Sequence, residues 1–525
     1  MKGYRFFLNR NNATDGFHES VSGRYYVDKS KIITFINSKI STKEKWICVT
    51  HPRRFGKSMV VEMLASYYTK GCKAEELFQG LKVKEDPSFY QHLNKHNVIY
   101  MNFSGYFENT IGSDGGIEKL SENLLHDLKE EYPGLLDEKM ELPLALDMVQ
   151  QVTGSKFIFL IDEWDTIFRF QKNEKAKQEQ FLGFLKLLFK DRTYVELVYM
   201  TGILPIKKYN TGSALNMFRE YTMLEPKQMD PYFGFSKEEV KELCQTASED
   251  MFEELTEWYD GYCGLGGVEK YNPRSVIEAL ESGICSDYWA NTGGFSELED
   301  YITMDFDGLG QAVTRLLGGE EIPVNVLGFS NDLDSFRDKD EVITALIHLG
   351  YLTIRNGKAR IPNREMQEEF GNTIKKLSWG EVSRLLNQSK RLLEATQQMD
   401  AETVAQILEG VHDGMHEFKE YNNEHTLKCV IHLAYYAAID EYELKFEENA
   451  GKGIADCIMI PRKQSNPGII LELKYDGNVD EALTQIKTKN YITGIPDRVK
   501  QVILVGINYD KKTKRHECKM ERIKR

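Results

Sequence analysis

Trp46-Ile47-Cys48-Val49-Thr50-His51-Pro52-Arg53-Arg54-Phe55-Gly56-Lys57-Ser58 is the stretch on which the reading of this chain turns. Its apolar start predicts a strand over 46–50, then a turn over 51–56 and a helix from Ser58 to Tyr68. A strand, a tight turn of exposed amides, a lysine and a hydroxyl at a helix start together form a phosphate cradle. The amides and helix N-terminus hold phosphate oxygens, the lysine pairs with the outer ones and the hydroxyl ligates Mg²⁺. Lys57 and Ser58 take those last two roles, and Arg53 and Arg54 add positive charge. Phe55, Gly56 and Met59 complete the expected nucleotide contacts. The pattern G-x-x-x-x-G-K-[ST] has His51 at its first position. Gly56-Lys57-Ser58 alone is therefore a weak signal.

Further strands strengthen it. Val98 to Phe103, Phe157 to Asp162 and Tyr194 to Thr201 are apolar runs separated by helical segments, which predicts a parallel sheet covered on both faces. Asp162 ends the third strand, where a carboxylate can hold Mg²⁺, and Glu163 follows to polarise an attacking water. Thr201, at the end of the fourth strand before Gly202, is placed to sense the outer phosphate. Arg219 and Arg274 are candidates for an arginine finger. ATP with Mg²⁺ is the expected ligand.

A second chemistry lies near the C-terminus. Gly451-Lys452-Gly453-Ile454-Ala455-Asp456 and Ile469-Ile470-Leu471-Glu472-Leu473-Lys474 read as paired strands. Side chains alternate along a strand, so Glu472 and Lys474 share a face, and pairing puts Asp456 beside Glu472. Adjacent carboxylates repel unless a cation sits between them. With Mg²⁺ or Mn²⁺ there, Lys474 orients or activates water for attack on a phosphodiester. A further metal ligand is expected from the preceding helix at Glu424, with Glu443 as the alternative.

Composition narrows the class. A chain of 525 residues exceeds one core, since cores stop growing at about 250–300 residues. With 41% hydrophobic and 28% charged residues it reads as globular, and a net charge of −14 argues against a wholly basic nucleic-acid coat. The basic run from Lys511 to Arg525 reads as a solvated tail, with a phosphate-contacting end as the alternative. Eight scattered cysteines make no CxxC pair, fitting a reducing cytoplasm. No run is long enough to span a membrane. Ser236 to Glu239 reads as a helix start. Glu341 to Leu349 followed by Asn356-Gly357 between short β-type runs reads as a helix and hairpin. Trp379 to Leu408 reads as helical and charged, connecting domains.

These residues resemble the bacterial AAA-ATPase-like family that is often fused to a PD-(D/E)XK nuclease-superfamily domain. The likeness is carried by Tyr26-Val27-Asp28-Lys29-Ser30, Pro52 to Ser58, Leu160-Ile161-Asp162-Glu163-Trp164-Asp165 and Thr201-Gly202. It continues through Phe233-Gly234-Phe235-Ser236, Trp258 to Tyr262, Tyr271-Asn272-Pro273-Arg274-Ser275, Tyr288 to Thr292, Leu349 to Thr353 and Ile361-Pro362-Asn363. In that family His51 is ordinary. The resemblance carries Asp456, Glu472 and Lys474 onto the nuclease motif and matches Gln485 and Tyr491 to its later helix. Ile454 stands where the family commonly has arginine, and Trp164 where it has tyrosine.

The implied fold class is α/β multidomain: a P-loop NTPase parallel sheet, a helical and winged-helix-like middle, and a C-terminal PD-(D/E)XK-like α/β domain. The implied boundaries are an AAA-like ATPase domain at 1–225, a helical subdomain at 226–300 and a winged-helix-like domain at 301–375. Connecting helices at 376–415 and a nuclease-like domain at 416–525 follow. The expected function is ATP hydrolysis that controls a metal-dependent nuclease-like site. The alternative is an ATP-dependent switch whose inactive nuclease fold binds a partner. Nucleic acid, DNA or RNA, is the expected partner; no membrane is, and a homo-oligomer is left open.

Overall fold

The computed structural model describes residues 4–106, 115–137, 139–171, 173–206, 215–247, 249–289, 295–304, 308–327, 329, 336–377, 380–414 and 424–525. Contacts divide the chain into one compact unit of residues 1–288 with 323–365 and another of residues 289–322 with 366–525.

The first unit is built on a five-stranded sheet: β1 (Trp46–Thr50), β2 (Asn97–Asn102), β3 (Phe157–Asp162), β4 (Val195–Gly202) and β5 (Arg219–Thr222), in the order β2-β3-β4-β1-β5. Every neighbouring pair is parallel. The apolar runs do not alternate because both faces are covered. Phe157, Phe159 and Ile161 enter one core with helices Gly116–Glu131 and Leu142–Thr153, while Ile158 and Leu160 enter the other with helix Lys57–Tyr68. β5 is a short edge strand that the sequence pattern did not signal. The sheet order puts the C-terminal end of β4 between those of β1 and β3, so Thr201 falls between the phosphate turn and Asp162.

Several motifs hold the rest of this unit together. Ser236 and Glu239 close a reciprocal cap at the start of helix Lys237–Ala247: the Ser236 amide donates to Glu239 at 2.8 Å and the Glu239 amide to the Ser236 hydroxyl at 3.2 Å. Asn272 caps helix Pro273–Ser282 by accepting from the Arg274 and Ser275 amides, with proline at the first helical position. Helix Lys339–Leu349 leads to a hairpin, Thr353–Arg355 with Lys358–Arg360, whose turn residues Asn356 and Gly357 both have positive φ.

The second unit carries a mixed sheet: β6 (Tyr442–Ala450), β7 (Gly453–Pro461), β8 (Gly468–Tyr475), β9 (Gln501–Asp510) and β10 (Arg515–Lys524), in the order β10-β9-β8-β7-β6. β8 and β9 are parallel, and helix Val479–Lys489 makes the crossover that parallel strands require. The other pairs are antiparallel.

One expectation is corrected here. The basic run at the C-terminus is not a tail: ten residues of it form β10, with His516 and Cys518 turned inward. The helical stretch expected over Trp379 to Leu408 is formed by two helices, Gly380–Gln397 and Ala401–Gly414. They are broken at Met399, which has φ 66°, and restarted by Asp400, which accepts from the Thr403 amide at 3.0 Å. Among the described residues no helix is long and apolar enough to cross a membrane.

Candidate nucleotide site and candidate metal centre

The phosphate turn is set by two left-handed residues, Arg54 at φ 68° and Gly56 at φ 85°. Glycine adopts that conformation without strain, and its place directly before Lys57 lets the helix begin there. Phe55 is buried under Gly234, where a Cβ would come within 3.3 Å of its ring, which accounts for the Phe233-Gly234-Phe235 motif. His51 is buried and stacked on Phe233 at 4.7 Å, and burial pushes its pKa down to about 3. It is a neutral packing group.

Lys57 is buried and donates to the carbonyls of His51 at 2.8 Å and Pro52 at 2.6 Å. Burial lowers its pKa to about 8, while Asp162, Asp165 and Glu163 oppose the shift. Asp162 is fully buried at the end of β3 and accepts from the Thr201 hydroxyl, and Ser58 is close enough to lower its pKa. Burial outweighs both, so its pKa is raised. Its Oδ2 is buried with no hydrogen-bond partner. Ser58, Lys57, Asp162 and Thr201 therefore converge. The orphaned carboxylate oxygen beside a serine hydroxyl is a donor set suited to Mg²⁺.

Glu163, at φ 54°, turns out of the strand, and its Oε2 pairs with Arg169 at 3.0 Å. Arg169 also pairs with Asp165 at 3.3 Å, and Asp165 accepts from the Ile203 and Leu204 amides. Sequence reasoning missed Arg169, although its spacing after Asp165 is that of an ion pair along a helix. The Arg54 guanidinium donates to the Tyr288 carbonyl at 2.7 Å. Arg53 is half-buried. Arg219 pairs with Glu44, and Arg274 is exposed and pairs with Glu278. Beside the turn lies an apolar cleft of about 560 Å³ including its open mouth, lined among others by Tyr25, Tyr26, Gly56, Met59, Tyr232 and Phe235.

In the second unit, β7 and β8 pair with Cys457 opposite Leu471, and the same register brings Asp456 against Glu472. The Leu473 amide donates to Asp456 Oδ2 at 2.8 Å. Glu472 is almost fully buried. Its Oε1 accepts from Lys474 at 3.3 Å and from the Gln485 amide, while Oε2 is buried without a hydrogen-bond partner. Burial first, then the Asp456 charge, raises Glu472 to about 7; Lys474 opposes both. Lys474 donates to Gln485 at 2.7 Å, and Gln485 donates to the Tyr491 hydroxyl at 3.1 Å. Asp456, Glu472, Lys474, Gln485 and Tyr491 thus meet. Two hard carboxylates, one with an orphaned buried oxygen, fit Mg²⁺ or Mn²⁺.

The third expected ligand fares differently. Glu424 opens helix Glu424–Ala434, and its side chain lies outside the described residues. Glu443 does not join the centre: it lies opposite Ile460, toward the other end of β7 from Asp456, and pairs with Lys445. Among the described residues no group of three His, Cys, Asp or Glu is placed to hold a metal. The helix instead contributes Lys428, whose Nζ is 2.9 Å from Asp456 Oδ1 and 3.4 Å from Glu447. Its position one turn after Glu424 was the signal available in the sequence.

Three solved structures are similar to the chain at low identity and low TM-score. A Walker-type ATPase of Pyrococcus abyssi is 13% identical, covering 65% of this chain and 94% of that one at a TM-score of 0.34. Cdc6p of Pyrobaculum aerophilum is 10% identical, covering 71% and 99% at 0.25. The ORC2 protein of Aeropyrum pernix, in ADPNP-ADP complexes, is 10% identical over the same shares at 0.31. No curated protein matches the chain. Family models match two segments: residues 15–211 match that described as predicted AAA-ATPase, and residues 422–519 match the PD-(D/E)XK nuclease superfamily. The chain therefore joins an AAA-ATPase-like segment to a C-terminal segment of the PD-(D/E)XK nuclease superfamily.

Proposed function

We propose that this chain binds and hydrolyses ATP with Mg²⁺ at the phosphate turn, and that this cycle controls a metal-dependent phosphodiester-cleaving site at Asp456, Glu472 and Lys474. The observation that carries the reading is the meeting of those three residues around an orphaned buried carboxylate oxygen. In the first unit, Lys57 leaves the loop carbonyls for the phosphates, and Ser58 and Asp162 hold the cation. Glu163, once parted from Arg169, orients the attacking water, and the aromatic cleft receives the base. In the second unit, a bound cation supplies Lewis-acid stabilisation of the phosphodiester. Lys474, steered by Gln485, positions the water. The substrate is nucleic acid, DNA or RNA. The expected domain boundaries, including a winged-helix-like packing module at 301–375, belong to this proposal.

The test incubates the full chain with DNA and RNA, Mg²⁺ or Mn²⁺, with and without ATP. Cleavage that disappears in Asp456→Ala and Lys474→Ala supports the reading. Intact ATP hydrolysis with no cleavage under any condition supports the second one, an ATP-dependent switch whose nuclease fold binds without cutting. The ammonium of Lys428 resting on Asp456 favours that second reading.

A further inference from the structure

We infer that Lys428 is a built-in placeholder for the divalent cation at Asp456: the ammonium and the cation exclude one another, and metal affinity is set by this competition. The inference rests on the metal-centre reading above.

The geometry carries it. Asp456 has two carboxylate oxygens. Oδ2 is fixed by the Leu473 amide at 2.8 Å, and Oδ1 faces Lys428 at 2.9 Å. Glu472 divides in the same way, Oε1 being taken by Lys474 and Gln485 while Oε2 has no hydrogen-bond partner. A cation shared by the two carboxylates needs an oxygen from each, and on the Asp456 side the ammonium stands at the one the Leu473 amide does not hold. Lys428 can yield. Its side chain is 18% exposed, it sits on a flexible four-carbon stem, and Glu447 at 3.4 Å is a second acceptor at the solvent side with 63% exposure. Lys474 is not equivalent, because its ammonium rests on Glu472 Oε1 and Gln485 and not on Asp456. A positive charge this close also weakens cation binding electrostatically, even before the contact is broken.

The test is Mn²⁺ binding to the nucleotide-free full chain, followed by the electron paramagnetic resonance signal of free Mn²⁺. Lys428→Met keeps the stem and removes the charge, and it should tighten binding about tenfold, the scale of one partly buried charge contact. Lys428→Arg keeps the charge and should stay near the parent. Asp456→Asn should lose the site. Lys428→Met binding no tighter than the parent, with Asp456→Asn losing Mn²⁺, overturns the competition and leaves the metal centre standing. Asp456→Asn binding like the parent overturns both. A second measurement serves if Lys428→Met does not fold. In the parent protein, labelling of Lys428 by an amine-acylating reagent, read by mass spectrometry, should rise as Mn²⁺ is added. Labelling that stays constant through the titration overturns the inference.

Discussion

Lys57 directs its ammonium into the loop that carries it, onto the His51 and Pro52 carbonyls. Phosphate oxygens would take over those donors. Lys57→Ala should therefore lower ATP affinity by about 100-fold, since a desolvated charge-assisted contact is worth roughly 1.5–3 kcal/mol. Titration calorimetry with ATP and Mg²⁺ checks this, and unchanged affinity refutes the assignment. Glu163→Gln should keep binding and lower turnover by about 100-fold or more, the scale of one lost general base; a phosphate-release assay separates the two effects. Gly202→Ala should destabilise the first unit by roughly 1–3 kcal/mol. The added Cβ would meet Trp164 at 2.6 Å and Asp165 at 2.7 Å, and a thermal scan reads the loss. The convergence of Lys57, Ser58 and Asp162 was legible because the proposed roles require fixed residue types at strand and helix ends. Asp456 and Glu472 were legible from alternation once two strands were paired. Arg169 and Lys428 were missed despite their helical spacing, since an ion-pair partner is chosen by three-dimensional approach and many lysines and arginines have such spacing.

At the scale of elements, non-alternating apolar runs located β1 to β4 of the first sheet to within one residue. Charged or short strands escaped: β5 is four residues long, and β10 carries the charges of a tail. Glu365 escaped for a related reason. It looks like a surface residue of helix Arg364–Leu377, yet it is fully buried. It accepts from the Ser275 hydroxyl at 2.9 Å and the Tyr288 amide at 3.0 Å, tying three distant segments of the first unit together. Burial raises its pKa to about 8 from an ordinary 4.5. A carboxyl with a raised folded-state pKa gives stability that is fully present below the unfolded value and is lost as pH rises through the folded one. The melting temperature should therefore fall between about pH 4.5 and 8, and Glu365→Gln should flatten that part of the profile. Thermal scans across this range decide it; parallel profiles for the two proteins would refute the role of Glu365.

For the whole molecule, the family matches place an AAA-ATPase-like segment and a PD-(D/E)XK segment in one chain, and the sequence motifs pointed to both. The motifs could not rank them, because coupling between sites is a free-energy difference between states and leaves no residue pattern. If ATP controls cleavage, Lys57→Ala should abolish the ATP dependence of nucleic-acid cleavage while leaving cleavage without ATP unchanged. A gel assay with and without ATP measures this, and cleavage that responds to ATP equally in both proteins removes the P-loop from control.

β10 has one further consequence. It is the last strand at one edge of its sheet, and its exposed residues include Arg515, Glu517, Lys519 and Lys524. An open strand edge is a template on which other chains can polymerise, and charges of both signs along it oppose that stacking. The charged end of the chain is thus a guard against aggregation. A version shortened before Arg515 would bare the long apolar β9, and precipitation would be the first symptom of the missing strand.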